Sequence, residues 1–262
     1  MIPSDMMSTK CDALKQYSSL KSIQILEVLS STTSYLSIQD FTELTMLSAS
    51  TVHRILQELT SAGYVRKNEE HKYKIGLNAM ALSLRINATD YIIEAASEQM
   101  DSLNDLSGET VHLIIMDKYE GRYIAKREAK NQIGLRSRVG WNLPLYCSSG
   151  GKALLAYQTV GWLESFYAEI PLQKLTENTF CTKSALNEEL EKIRLQGFSV
   201  DNREHHPNVV CIAAPIFDSE NKVVCTIGLS APDYRFPLEK ALSYADQVKE
   251  HAKKISEILK RK

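Results

Sequence analysis

Between positions 48 and 62 the chain sets Ser50, Thr51, His53, Arg54 and Gln57 against Val52, Ile55, Leu56 and Leu59. The apolar set follows the i, i+3, i+4, i+7 spacing of one helical face, so the polar set is held on the opposite face. Hydroxyl, imidazole, guanidinium and amide groups on a fixed helix are the groups that read base edges in a DNA major groove. Two other constellations could do different chemistry. Glu204-His205-His206 with Cys211 nearby offers imidazole and thiolate, which suit zinc. Consecutive histidines point different ways on an extended chain, however, and no fourth ligand has motif spacing, so no metal and no cofactor are expected. Cys147, beside Ser148 and Ser149 at an expected helix start, could be a nucleophile with a lowered pKa, served by Asp201 or His205 as base. No recognised catalytic order accompanies it.

The elements that must position the polar face are legible around it. Ser48 can cap the helix Ser48–Ala62 by accepting from a free N–H of the first turn, and Gly63 follows where a left-handed residue would close it. Ser37, with Asp40 three residues on, has the form of a capping box and opens a shorter helix carrying Ile38, Phe41 and Leu44 on one face. Thr45, Met46 and Leu47 remain as a turn, short enough to force a steep crossing that projects the second helix outward. Tyr64-Val65-Arg66 and Lys72-Tyr73-Lys74-Ile75 then read as a hairpin, a wing whose cations Arg66, Lys67, Lys72 and Lys74 could touch phosphates. Tyr17 to Ser30, with Leu20, Ile23, Leu26 and Leu29, supplies a third helical wall. The residues expected at DNA are Ser37, Ser48, Ser50, Thr51, His53, Arg54, Gln57, Arg66, Lys67 and Lys72. Two helices of an ordinary core would also show a polar face; the wing beside them argues against that plainer reading.

Residues 1–76 carry eight cations against eight carboxylates, but five of those cations fall in the reading helix and the wing. Affinity must come from local placement and from joining two modules on one duplex, so dimeric binding to a pseudo-palindromic site is expected. The whole chain, 262 residues with 44% hydrophobic and 24% charged, has the composition of a globular protein able to bury a core. No apolar run approaches the roughly 18–20 residues that cross a bilayer, and the N-terminus lacks the pattern of a secretory leader, so the cytoplasm is the expected address with no membrane partner. The five cysteines are odd in number and form no C-x-x-C pair, so they are read as free thiols.

Residues 1–16 read as a flexible tail, 17–76 as the winged module, 77–89 as a linker helix (Leu77 to Ile86 in pattern) and 90–262 as a second domain. There a long amphipathic helix carrying Ile92, Ile93, Ala96, Met100, Leu103 and Leu106 is closed by Gly108. Val111–Met116 is suited to a buried strand that pairs with Tyr123–Arg127 through a turn at Tyr119–Arg122. Helices are expected at Ala153–Tyr157 and Ser184–Gln196, strands at Phe198–Val200, Val210–Pro215 and Val223–Ser230, and a terminal helix from Leu238 to Lys260. Antiparallel strands with helices grouped between them describe an α+β layer.

Three stretches carry a family likeness: Ser50-Thr51-Val52-His53-Arg54-Ile55-Leu56 with Gly63-Tyr64-Val65; Leu143-Pro144-Leu145-Tyr146 leading to Gly151-Lys152-Ala153-Leu154-Leu155-Ala156; and Cys211-Ile212-Ala213-Ala214-Pro215-Ile216-Phe217-Asp218. In this order the chain resembles the IclR family of bacterial transcriptional regulators. The resemblance implies a winged helix-turn-helix, a linker helix and a GAF-like effector-binding domain with an antiparallel sheet, assembled as a homodimer or a dimer of dimers. It also implies a small carboxylate effector held at the turn Cys147, Ser148, Ser149 and Gly150, faced by Asp201, Cys211, Gly228 and Ser230, with Leu135 and Leu143 as apolar walls. His205 is placed at the rim, able to change charge near neutral pH. Leu135–Gly140 and Asn142–Tyr146 look closest to the branch that senses 2-keto-3-deoxygluconate, which points to a keto or sugar acid. Two departures stand out. Asn208 replaces a glycine common after the proline, and since Asn tolerates positive φ that turn is expected to persist. Gly228 stands where some relatives have a hydroxyl. An enzyme acting on keto acids through Cys147 or the Glu204/His205/His206 cluster is the rival reading; a structural DNA protein without an effector is another.

Overall fold

The computed structural model describes residues 18–85, 88–131 and 134–260. The expected tail, Cys11, Tyr17 and the last residue of the expected Leu77–Ile86 helix lie outside them. The chain divides into two compact units, Met1–Asn87 and Ala88–Lys262.

The first unit runs α1 (Ser18–Ser30), α2 (Ile38–Thr45), α3 (Ala49–Ser61), β1 (Val65–Lys67), β2 (Tyr73–Ile75) and α4 (Leu77–Arg85). β1 and β2 pair antiparallel, and a bridge from Leu36 to Tyr73 extends the hairpin. Its core is Ile25, Leu29, Phe41, Val52, Ile55, Leu56, Val65 and Tyr73. The expected stripe of α3 is therefore buried, but two other faces are shifted. Ile23 is 51% and Leu44 60% exposed. α1 turns Ile25 and Leu29 inward, at i, i+4 spacing. In α2 the inward place falls to Thr45, whose hydroxyl donates to the Phe41 carbonyl (2.6 Å), before Met46 leaves the helix at φ 59°.

α3 and α4 are joined without slack. Gly63 takes φ +74°, the Asn78 amide donates to the Ala62 carbonyl (2.8 Å), and the N–H groups of Asn78 and Gly76 donate to Gly63 and Tyr64. A Cβ on Gly76 would lie 2.4 Å from the Gly63 carbonyl oxygen, so only glycine allows this approach.

The second unit contains α5 (Ala88–Ser107), β3 (Thr110–Asp117), β4 (Glu120–Arg127), β5 (Asn142–Pro144), α6 (Ser149–Leu155), α7 (Val160–Glu169), α8 (Lys183–Gln196), β6 (Ser199–Asn202), β7 (Val209–Phe217), β8 (Val223–Pro232), α9 (Leu238–Ser243) and α10 (Ala245–Lys260). The strands form one antiparallel sheet in the order β5-β4-β3-β8-β7-β6, the α+β layer expected. Period-two alternation sorts its faces. Val210, Ile212, Ala214 and Ile216 with Cys225, Ile227, Leu229 and Ala231 pack against α5 and α10. Ile114 and Leu143 belong to a second core with residues of α6, α7 and α8.

Several boundaries differ from expectation. The β3–β4 turn is Lys118-Tyr119, because Lys118 adopts φ 53° and closes a tight loop one residue earlier. The terminal helix breaks at Tyr244, whose ring lies against Phe236. The left-handed residue of the 203–208 turn is Arg203 (φ 61°), not Asn208. β5 and α7 were not expected, and α6 begins at Ser149 rather than Ala153. Among the described residues no helix is long and apolar enough to cross a membrane.

Candidate functional site

α3 presents Ser48, Ser50, His53, Arg54 and Gln57 to solvent, with Thr51 half-buried. The Ser48 hydroxyl caps the helix, accepting from the Thr51 N–H and lying 2.9 Å from the Thr51 hydroxyl. Ser37 is likewise committed to a cap: its N–H and its hydroxyl both donate to the Asp40 carboxylate, which is thereby held below the usual range. Both serines thus shape the module, leaving Ser50, His53, Arg54 and Gln57 as its outward-facing polar groups. Arg54 pairs with Glu58 at 2.6 Å in an exposed i, i+4 contact, an interaction weak enough to yield to a phosphate or base. On the wing, Arg66 and Lys74 both lie over the Tyr35 ring and Lys67 over Tyr73, while Lys72 pairs with Glu70. The wing's cations run along its strands, and Glu69 and Glu70 occupy its exposed tip.

In the second unit, strand register assembles the other site. Asp201 pairs with Cys211, Cys211 with Ser230 and Ser230 with Thr110, one polar row across four strands. The next row on the same face is Ser199, Ala213, Gly228, His112 and Lys126. α6 lies over this face. Its Gly150 touches the sheet so closely that a Cβ would meet Ile114 at 2.5 Å and Thr226 at 2.8 Å. Ser148 caps α6, accepting from the Gly151 N–H and donating to the Pro144 carbonyl. The N–H groups of Ser149 and Gly150 have no acceptor within the helix.

The electrostatics of this chamber are those of desolvated groups. Burial pushes Asp201 up to about 6 and Glu204 up to about 8, against the pull of the Lys152 ammonium. Lys152 is fully buried, 2.6 Å from Glu204 and 3.6 Å from Glu189. His112 bridges Ser230 (3.2 Å) and Ser137 (2.7 Å), and burial lowers its pKa to about 3, so it is a neutral imidazole. Thr110 Oγ1, Thr226 Oγ1 and Glu204 Oε2 are buried without a protein partner among the described residues.

The structure thus brings together Cys147, Ser148, Ser149 and Gly150 at one end of α6, and Asp201, Cys211, Gly228 and Ser230 on adjacent strands. Leu143 instead packs on Gly121 in the second core. Leu135 borders a separate open cleft of about 550 Å³, whose lining includes no other residue of the expected set. Gly228 is a steric necessity, since a Cβ there would lie 2.4 Å from the Ile212 carbonyl oxygen.

Two chemical expectations are corrected. Cys147 is fully buried and desolvation raises its thiol pKa, so it is not an activated nucleophile at neutral pH. His205 is lowered by burial and by His206, so it is neutral rather than poised to switch near pH 7. His206 is exposed, and its Nδ1 accepts from the Asn208 N–H; among the described residues no group of three or more His, Cys, Asp or Glu side chains could hold a metal.

His112 and Lys152 carry chamber chemistry that the sequence reading did not assign, and Glu204, read there with His205 and His206, instead pairs with Lys152. The signals were present. His112 interrupts the apolar run Val111–Met116 at an inward position, and Lys152 is enclosed by Gly151, Ala153 and Leu154.

Residues 84–257 match the model of the bacterial transcriptional regulator IclR C-terminal domain, and residues 19–69 match the IclR helix-turn-helix domain. The chain is 32% identical over 238 residues to the HTH-type transcriptional regulator KdgR of Escherichia coli (strain K12), covering 90% of each. It is 31% identical over 240 residues to the HTH-type transcriptional repressor AllR of Salmonella typhi, covering 91% of this chain and 88% of that one. The crystal structure of the Thermotoga maritima IclR matches with a TM-score of 0.62 at 31% identity, covering 92% of this chain and 97% of that chain.

Proposed function

The chain belongs to the IclR family of bacterial transcriptional regulators, which are not enzymes, and from that premise we propose that it binds a pseudo-palindromic operator as a homo-oligomer under the control of a small carboxylate metabolite, a keto or sugar acid. The observation that carries this reading is the polar row Asp201–Cys211–Ser230–Thr110, set on the face that α6 covers and ending in a buried hydroxyl without a protein partner among the described residues. An apolar ligand would leave that hydroxyl unpaired, at about 1–3 kcal/mol, whereas a hydroxylated acid can satisfy it. Ser149 and the N–H groups of the α6 turn that Ser148 holds in place, with Asp201 on β6, suit the carboxylate and hydroxyl groups of such a molecule.

The module before it supplies the DNA contact. Ser50, Thr51, His53, Arg54 and Gln57 would meet bases or nearby phosphates, while Arg66, Lys67 and Lys72 fix the wing on the backbone. Effector binding then biases the spacing of the two reading helices in a dimer, so that the operator fits worse or better. The site of action is the cytoplasm.

A gel shift with the chain's own upstream region, repeated across a panel of keto and sugar acids, tests this directly. At least one acid should change operator retention and raise the melting temperature by linkage, with no turnover of the acid. Retention and melting that respond to no acid would sink the effector reading and leave a DNA-binding protein alone.

A further inference from the structure

We propose that the open cleft between β4 and residues 134–141 is a second small-molecule site, which takes a hydroxylated monocarboxylate on the guanidinium groups of Arg136 and Arg138. The cleft, about 550 Å³, is of the size that holds a metabolite. Its walls are built. The Lys126 ammonium donates to the Leu135 and Ser137 carbonyls (2.9 and 2.8 Å) and pairs with Glu128 at 2.9 Å, so its three N–H groups are satisfied within the protein. The Gly140 N–H donates to the Tyr123 carbonyl and the Tyr123 N–H to the Trp141 carbonyl, pinning the far end of the loop to β4.

The two arginines are not used in this way. The Arg138 guanidinium carbon lies 5.5 Å from the Trp141 ring centroid, and neither Arg136 nor Arg138 has a carboxylate partner among the described residues. Two guanidinium groups without carboxylate partners, in a cleft that also holds an indole, match a planar carboxylate carrying a polyol chain. Glu128 at the rim, its side chain 70% exposed, disfavours the higher charge of a phosphate monoester.

The cleft meets the chamber along one edge: Lys126 stands in register with His112, and the Ser137 hydroxyl bonds His112 and through it Ser230. Occupancy of the cleft can therefore bear on the chamber through one chain of hydrogen bonds.

Trp141 and Trp162 are the two tryptophans of the chain, so Trp162→Phe isolates the Trp141 fluorescence. In that background, titration with D-gluconate should give a saturable change that sorbitol, its neutral counterpart, does not. The pair Arg136→Gln/Arg138→Gln should weaken the response at least tenfold while the ligand-free melting temperature and operator binding stay unchanged. Equal responses to sorbitol, or undiminished binding in the double variant, would overturn the proposal, and tighter binding of inorganic phosphate would overturn its carboxylate assignment. Asp201→Asn should keep the Trp141 response; losing it there would put the anion in the chamber and remove the cleft site, whatever the outcome of the operator assay.

Discussion

At the scale of single residues the chamber is governed by Lys152 and Glu204. Removing the ammonium leaves a buried carboxyl group beside Asp201 without its donor, so Lys152→Met should cost about 1–3 kcal/mol in denaturant unfolding. Lys152→Met/Glu204→Leu should recover most of that loss, because the double replacement removes the carboxyl group together with its donor. The same carboxylate sets a pH dependence. Glu204, raised to about 8, holds its proton more tightly folded than unfolded, so its contribution is complete below its unfolded pKa and is lost as pH rises through 8. His112 and His205, both lowered, act in the opposite sense only below their ordinary value of 6.5, and Asp201 has largely titrated by then. Between pH 6.5 and 8 the melting temperature should therefore fall, by the equivalent of at most about 2 kcal/mol. Glu204→Gln should flatten that slope; an equal slope in the variant would show that another group titrates there.

At the scale of elements, α3 tests whether its exposed face reads DNA. Arg54→Ala should weaken operator binding about tenfold or more while effector-induced stabilisation is kept. Simultaneous loss of both would contradict the division of labour between the two units. α3 was legible because its spacing, its Ser48 cap and its closing Gly63 all lie within a few turns of sequence. α1 and α2 were legible as helices but not in rotation: Ile23 and Leu44 fit an i, i+3 stripe as well as Ile25 fits its own, and only packing chooses between them. β5 and α6 were partly hidden for a different reason. Three residues cannot show period two, and the first turn of α6 is made of Ser149, Gly150 and Gly151, which read as loop until the close approach to Ile114 and Leu145 requires them. The chamber's pairs, Lys152 with Glu204 and His112 with Ser230, join residues far apart in the chain, so local pattern marks each as unusual without naming its partner.

At the scale of the molecule, the two units should separate. A fragment spanning 88–262 keeps its sheet, both cores and the chamber, so it should retain the effector-dependent rise in melting temperature and lose operator binding. A fragment that melts without cooperativity would show that the first unit is needed to complete the fold. In the intact chain, the junction of α3 with α4 bears on how any signal travels. Gly63, Gly76 and Asn78 fasten the first turn of one helix to the last turn of the other through three hydrogen bonds and a contact that excludes even a methyl group. A swivel of α4 should therefore carry α3 with it, like a key turned by its bow, and in the proposed reading that turn re-aims His53 and Arg54 at the groove.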